Sequence, residues 1–205
     1  MKRFSVISLL SLALLFSCAS EDDDSVGPLD INMNEELPGY WKTTYLHADL
    51  VARVPPLSIG VVISHENVSG GVLFETDENG DLKAEFDVFS DMTITASFPI
   101  VGTLYQESEE QVPIDNRLSY EVIDNNFFRF YVNDSTDRPI EMFQYIAYED
   151  LTFFAVEKTE TFLDLVADVD VMNNFGDLGE ELDELPEGDV PTTGKVYIRL
   201  EKVDE

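Results

Sequence analysis

The residues of this sequence that could carry out chemistry are its histidines, its cysteine and its many carboxylates. There are two histidines, one cysteine and 42 acidic residues among 205. A general base needs a nucleophile or a positioned water close by, and the sequence contains no Gly-x-Ser-x-Gly and no His-Glu-x-x-His motif. We therefore expect His47, after the first strand, and His65, in a turn, to be solvated surface residues. The sequence predicts no catalytic residue and a protein that is not an enzyme.

Acidic residues could also act in pairs or bind calcium. Two flanking carboxylates can hydrolyse a glycosidic bond, but 42 acids offer so many pairs that the sequence selects none. Residues 77–81, Asp-Glu-Asn-Gly-Asp, resemble the start of a calcium loop, although Gly80 comes two positions early and Val88 stands where the glutamate belongs. A hairpin turn explains this segment without a metal. The acidic loop 177–189 could hold Ca²⁺ loosely or be only solvated. We predict no metal site and no cofactor.

Composition excludes several classes of protein. The chain has 12 Lys and Arg residues and a formal net charge of −30, so it does not bind nucleic acid through clustered basic residues. Its hydrophobic content of 44% and aromatic content of 11% exceed those of a disordered acidic tail. A single cysteine excludes a disulfide framework and a site built of several thiolates. The length suits one domain.

The N-terminus has the organisation of an export signal. Lys2 and Arg3 precede a run of apolar and small residues from 4 to 17. This run is shorter than the roughly 20 residues that a membrane-spanning helix needs. Residues 1–17 are therefore predicted to be a signal peptide.

The end of this run resembles the lipobox of bacterial lipoproteins. Residues 15–18 read Leu-Phe-Ser-Cys, which implies cleavage before Cys18 and lipid attachment to it. The acids at 21–24 resemble the export signal of Bacteroidetes lipoproteins that reach the cell surface; a solvated tether is the alternative. We expect residues 18–36 to be a lipidated acidic tether. The lipid on Cys18 would anchor the protein in the outer membrane, with the domain facing the cell exterior or, alternatively, the periplasm.

Residues 37–205 are predicted to form an antiparallel β domain. Apolar residues alternate with polar ones along 82–88, and Asn79-Gly80 marks a hairpin before this strand. A further strand is predicted along 127–132, with Phe128, Phe130 and Val132 on one face. Hairpins in sequence usually close into a barrel or a sandwich, and we expect about eight to ten strands. The spacing of five apolar residues instead predicts one helix over 161–173, before the last strand: Phe162, Leu165, Val166, Val169 and Met172.

The start of the domain resembles the lipocalin signature. Gly39-Tyr40-Trp41 opens the first strand, as Gly-x-Trp does in that family of eight-stranded barrels. The resemblance implies that Trp41 lies at the closed end of the barrel. It also implies that a basic residue before the late helix packs across the tryptophan, and Lys158 stands at that position. The expected fold is therefore a lipocalin-like barrel.

The resemblance further implies that the connection after the first strand covers the mouth of the barrel. This segment, 46–58, is apolar for a loop, and Arg53 in it could meet an anionic group of a ligand. The predicted lid and ligand contacts are Leu50, Val51, Arg53 and Val54. The alternative is a short helix packed on the barrel wall. We expect a binding module for a small apolar ligand or, alternatively, a structural or interaction protein whose loops contact a protein or a glycan.

Overall fold

The computed structural model describes residues 28–54, 57–99, 101–132, 151–173 and 190–203. These residues form one short helix and eight strands. The elements are α1 (Met33–Glu36), β1 (Gly39–Val54), β2 (Leu57–Thr76), β3 (Leu82–Phe98), β4 (Gly102–Ile123), β5 (Phe127–Tyr131), β6 (Thr152–Lys158), β7 (Phe162–Asn173) and β8 (Val190–Lys202).

The eight strands form a closed antiparallel barrel. Each strand pairs with the next along the chain, and β8 pairs with β1, with Trp41 opposite Lys202 and Ala52 opposite Thr192. Closure gives the backbone of the first and last strands a partner on both sides, which removes the free edges that an open sheet would expose. The prediction of an all-β antiparallel barrel is confirmed, with eight strands.

The helix predicted over 161–173 is wrong, because this segment is β7. Its sequence fits both periods. Leu163, Leu165, Ala167 and Val169 line the interior, and they alternate with Asp164, Asp168 and the also buried Val166 on the outer face. Strands β6 and β8 lie on either side of β7 and supply the hydrogen-bond partners that decide between the two periods. In the turn between β6 and β7, the hydroxyl of Thr159 accepts a hydrogen bond from the Phe162 N–H at 3.1 Å.

The domain begins before residue 37, so the predicted boundary between tether and barrel is misplaced. Met33 and Leu37 are fully buried in the core. The N–H of Met33 donates to the carbonyl of Asn125 at 2.7 Å, and the N–H of Leu29 donates to the carbonyl of Ala155 at 2.8 Å. Residues 28–37 therefore pack across one end of the barrel, which we call the closed end. The tether is at most the part of the chain before residue 28.

The turns at 77–81, 124–126 and 159–161 lie at the closed end, because the strands that they join begin or end there. The remaining connections leave from the opposite end. The predicted hairpin at Asn79-Gly80 is confirmed, with β2 and β3 paired on either side of it. The predicted lipidation site Cys18 and the predicted acidic loop 177–189 lie outside the described residues.

A bulge in β2 bends the barrel wall. The β2–β3 register shifts between Glu66 and Ser69, and Asn67 in the bulge has a positive φ of 51°. Gly70 follows with a φ of 85°, and a Cβ atom at this position would collide with the backbone carbonyl of Asp87. Glycine is therefore required where the backbones of β2 and β3 approach each other.

Candidate functional site

The interior of the barrel is the first candidate site, because it is where the predicted apolar ligand would bind. Near the closed end this interior is filled by aromatic side chains that are at most 3% exposed. We call this group the aromatic layer; its members are Phe74, Phe86, Tyr120, Phe128, Phe130 and Phe153.

The rings of the aromatic layer contact one another. Phe128 lies edge-on to Phe130 with centroids 5.3 Å apart and is nearly parallel to Phe153 at 5.5 Å. Phe74 lies edge-on to Tyr120 at 5.3 Å. Such pairs each contribute about 0.5–1.5 kcal/mol beyond their buried area. Burial also raises the pKa of the Tyr120 phenol, which stays neutral. The layer is a packed core that occupies this part of the barrel.

The lid predicted over 46–58 is wrong, because its described residues, 46–54 and 57–58, belong to the barrel wall. Strand β1 runs unbroken to Val54, and β2 starts at Leu57. The backbone of Leu50 lies opposite Val61 and that of Ala52 opposite Ile59. The apolar character that suggested a lid is the alternation of a strand, whose backbone hydrogen bonds are satisfied by β2 on one side and β8 on the other.

The four predicted lid residues do not converge on a ligand. Leu50 is fully buried and points into the barrel, whereas Val51 and Arg53 are exposed on the outer wall. Val54 ends β1, and its side chain lies outside the described part of the structure. Because successive side chains of a strand point to opposite faces, Arg53 cannot reach the interior that Leu50 lines.

Trp41 lies at the closed end, where the lipocalin resemblance places it. Gly39 starts β1 with a φ of 117°, and Trp41 follows with its ring buried. The indole Nε1–H donates to the carbonyl oxygen of Leu37 at 2.9 Å. This bond satisfies the only polar atom of the ring and ties β1 to the segment that covers the closed end.

Lys158 lies beside the same tryptophan. Trp41 and Lys158 both line an open cleft of about 510 Å³, together with Glu36, Thr159, Glu160 and Lys202. The Lys158 ammonium forms an ion pair with Glu36 of α1. Trp41 and Lys158 thus share one cleft, and the ammonium is directed to Glu36. The basic side chain links β6 to α1, and the two lysines and two glutamates that line the open cleft balance in charge.

The two histidines differ in environment. His47 lies on the outer wall, but the expectation of a solvated His65 is wrong, because it is in β2 and only 7% exposed. Its Nδ1 lies 2.8 Å from the Oγ of Ser90, which is also buried. Burial, and to a smaller extent the charge of His47, lowers the pKa of His65 to about 4. This histidine is neutral at pH 7 and belongs to a buried polar pair.

No group of acidic, histidine or cysteine side chains within the described ranges has the arrangement of a metal site. The turn at 77–81 is held by Asp77, whose carboxylate accepts hydrogen bonds from the N–H groups of Asn79 at 2.8 Å and Asp81 at 3.0 Å. These hydrogen bonds lower the pKa of Asp77, and the bond from the Asp81 N–H has the largest effect. Among the described residues there is also no helix with the length and apolar character needed to cross a membrane.

An aromatic strip on the outer wall was not predicted. The backbones of His47 and Tyr197 are opposite each other in β1 and β8, and their ring centroids are 6.0 Å apart. Tyr45 adds a third ring, 5.9 Å from His47. We call these three residues the aromatic row. Only the alternation of Tyr45 and His47 is visible in the sequence, because the third member is set by the register with a strand at the far end of the chain.

Comparison of the chain with family models, curated proteins and solved structures finds no match. The candidate sites are therefore interpreted from their geometry. The described interior is packed with aromatic rings near the closed end, the closed-end cleft is bridged by an ion pair, and His65 and Ser90 form a buried pair. On its outer wall the described part of the barrel carries exposed aromatic side chains, among them Tyr45.

Proposed function

We propose that this protein is a lipid-anchored, non-catalytic interaction protein whose filled barrel presents its outer surface to a partner. The observation that carries this proposal is the aromatic layer, which occupies the interior near the closed end. A second observation is that the segment predicted as a lid forms part of the wall. Both favour the interaction protein over the apolar-ligand carrier that the lipocalin resemblance implied.

The resemblance to lipocalins remains part of the proposal. It is supported by the eight antiparallel strands and by the position of Trp41 at the closed end, in the same cleft as Lys158. The late helix that also suggested the resemblance is replaced by β7. The lipocalin resemblance concerns the architecture only. The proposed function rests on the filled interior near the closed end and on the exposed wall.

The anchor is proposed to be a lipid on Cys18, in the outer membrane. The described chain begins with Pro28 at the closed end, and the ten residues from Cys18 span at most about 35 Å when extended. The closed end would then face the membrane, and the walls would remain accessible. A net charge of −30 repels anionic surfaces, so the lipid would supply the attachment.

Two measurements test the proposal. Metabolic labelling with palmitate should mark the wild type and fail with Cys18→Ser, while Ser17→Thr, which keeps a small residue before the cysteine, should still be labelled. Titration of the full chain with the apolar fluorophore 1-aminoanthracene should give no saturable binding. Palmitate labelling of Cys18→Ser would refute the lipid anchor on Cys18. Saturable binding of the fluorophore would favour a carrier of apolar ligands over the interaction protein.

A further inference from the structure

The aromatic row is the feature of the outer wall that the proposed function leaves unassigned. We propose that Tyr45, His47 and Tyr197 bind a neutral polysaccharide. This inference rests on the proposed function, because it names the chemical class of the partner that the outer surface would contact.

The geometry of the row suits a chain of sugar rings. The three centroids follow one another at 5.9 and 6.0 Å, and neighbouring planes are tilted by 29° and 39°. The rings therefore form a continuous aromatic surface that bends at His47, because Tyr45 precedes His47 along β1 and Tyr197 lies across from His47 on β8, with a spacing close to the size of one pyranose ring. Tyr45 is 45% exposed, so a ligand can reach its ring without any movement of the barrel.

The chemistry of the row is complementary to a sugar face. An aromatic ring has a negative face and attracts the weakly positive C–H groups of a pyranose. Sugar hydroxyls also need hydrogen-bond partners, which two ion pairs beside Tyr197 provide. Lys195 donates to Asp168 at 2.8 Å, and Arg199 donates two bonds to Asp164 at 2.6 and 2.5 Å.

These ion pairs also hold their groups in place. The guanidinium of Arg199 lies 4.7 Å from the ring centroid of Phe162, in addition to its two bonds to Asp164. The hydrogen bonds to Asp164 raise the pKa of Arg199, which keeps it charged. Fixed donors and acceptors beside an aromatic strip lose little conformational freedom when a ligand binds.

Charge favours a neutral polysaccharide over the other candidate partners. The whole chain carries a net charge of −30 and repels an anionic polymer. Each cation beside Tyr197 is neutralised by an aspartate. A protein partner covering about 800 Å² of this wall would have to desolvate both ion pairs, which costs free energy. A narrow sugar chain lying along the row leaves the outer sides of these pairs in water.

Native affinity electrophoresis of the full chain in non-ionic detergent tests the proposal. The net charge of −30 drives migration, and a neutral polysaccharide in the gel slows only a protein that binds it. The probes are hydroxyethyl cellulose, galactomannan, laminarin and amylopectin. At least one of them should retard the wild type, and Tyr45→Ala and Tyr197→Ala should each weaken the apparent affinity about tenfold.

Tyr40→Ala is the matched control. Tyr40 lies on the same strand and is 47% exposed, but its ring packs over Gly71 of β2, outside the row. This variant should be retarded like the wild type. Circular dichroism should show that all three variants are folded.

The inference is overturned if no probe retards the wild type, or if Tyr40→Ala weakens retardation as much as Tyr45→Ala. A defined protein partner that is lost with Tyr45→Ala, in the absence of any retardation, would assign the row to protein binding and also overturn it. The fluorophore titration above is independent of these results. If the chain binds none of the polysaccharides and does not bind the fluorophore, only the polysaccharide inference is refuted. The proposal of an interaction protein then still stands.

Discussion

Truncation of Phe128 tests whether the barrel interior is filled. Phe128 is fully buried and contacts four rings: Phe130 at 5.3 Å, Phe153 at 5.5 Å, Phe74 at 6.2 Å and Tyr120 at 6.4 Å. Replacing a buried Phe by Ala removes its transfer free energy and leaves a cavity, which together cost about 3–5 kcal/mol. The closed wall limits collapse around the gap, so the loss of stability should lie in the upper part of this range.

Urea denaturation followed by far-ultraviolet circular dichroism measures this loss. Domains of this kind unfold with a free energy of about 5–15 kcal/mol, so Phe128→Ala should remain folded with a lower midpoint. An engineered apolar cavity also binds benzene. Benzene should therefore raise the melting temperature of Phe128→Ala and leave that of the wild type unchanged.

Phe89→Ala is the control for this experiment, because Phe89 is 40% exposed on β3. Its loss of stability should stay within about 0.5 kcal/mol, as for most surface substitutions. Two results would contradict the filled interior. One is a loss below about 1.5 kcal/mol for Phe128→Ala, and the other is stabilisation of the wild type by benzene.

Three further substitutions test other parts of the fold. Trp41→Phe removes the hydrogen bond to the Leu37 carbonyl and should lower the free energy of unfolding by about 1–3 kcal/mol, measured by urea denaturation; an unchanged value would mean that water replaces the bond. The folded pKa of His65, about 4, lies below its unfolded value of 6.5, so the unfolded chain takes up the proton first as the pH falls. Stability should therefore drop between pH 6.5 and 4, by up to about 3 kcal/mol. His65→Gln should lose this contribution, and a pH profile identical to that of the wild type would contradict it. Gly70→Ala forces a Cβ against the Asp87 carbonyl and should cost more than about 1 kcal/mol, whereas Gly80→Ala, in an open turn, should cost less; equal losses would show that the bulge relaxes.

The sequence predicts most strands of this fold because their alternation is local. Along 82–88 the apolar side chains occupy one face only, and Asn79-Gly80 marks the turn before them. The segment 161–173 fits both a helical and a strand period, and pairing with β6 and β8 decides between them. Such pairing depends on residues distant in the chain, which no local pattern contains.

The candidate sites show the same limit. Gly39, Trp41 and Lys158 could be assigned to the closed end through a family resemblance; there Gly39 starts β1, and Trp41 and Lys158 line one cleft. The described residues of 46–58 could not be recognised as wall, because the sequence predicts a connection there and its apolar residues suggest a cover over the mouth of the barrel. His65 seemed to belong to a turn because Glu66 and Asn67 follow it, but these residues form the bulge of a continuous strand.

The pairing of β1 with β8 also constrains the order in which the chain can fold. During synthesis β1 is made first and β8 last, so β1 has an unpaired edge until the whole chain is complete. Closing the ring joins residues near both ends of the sequence, and such distant contacts form slowly. A chain that stops before Val190 would leave long unpaired edges on both β1 and β7, which are prone to aggregation.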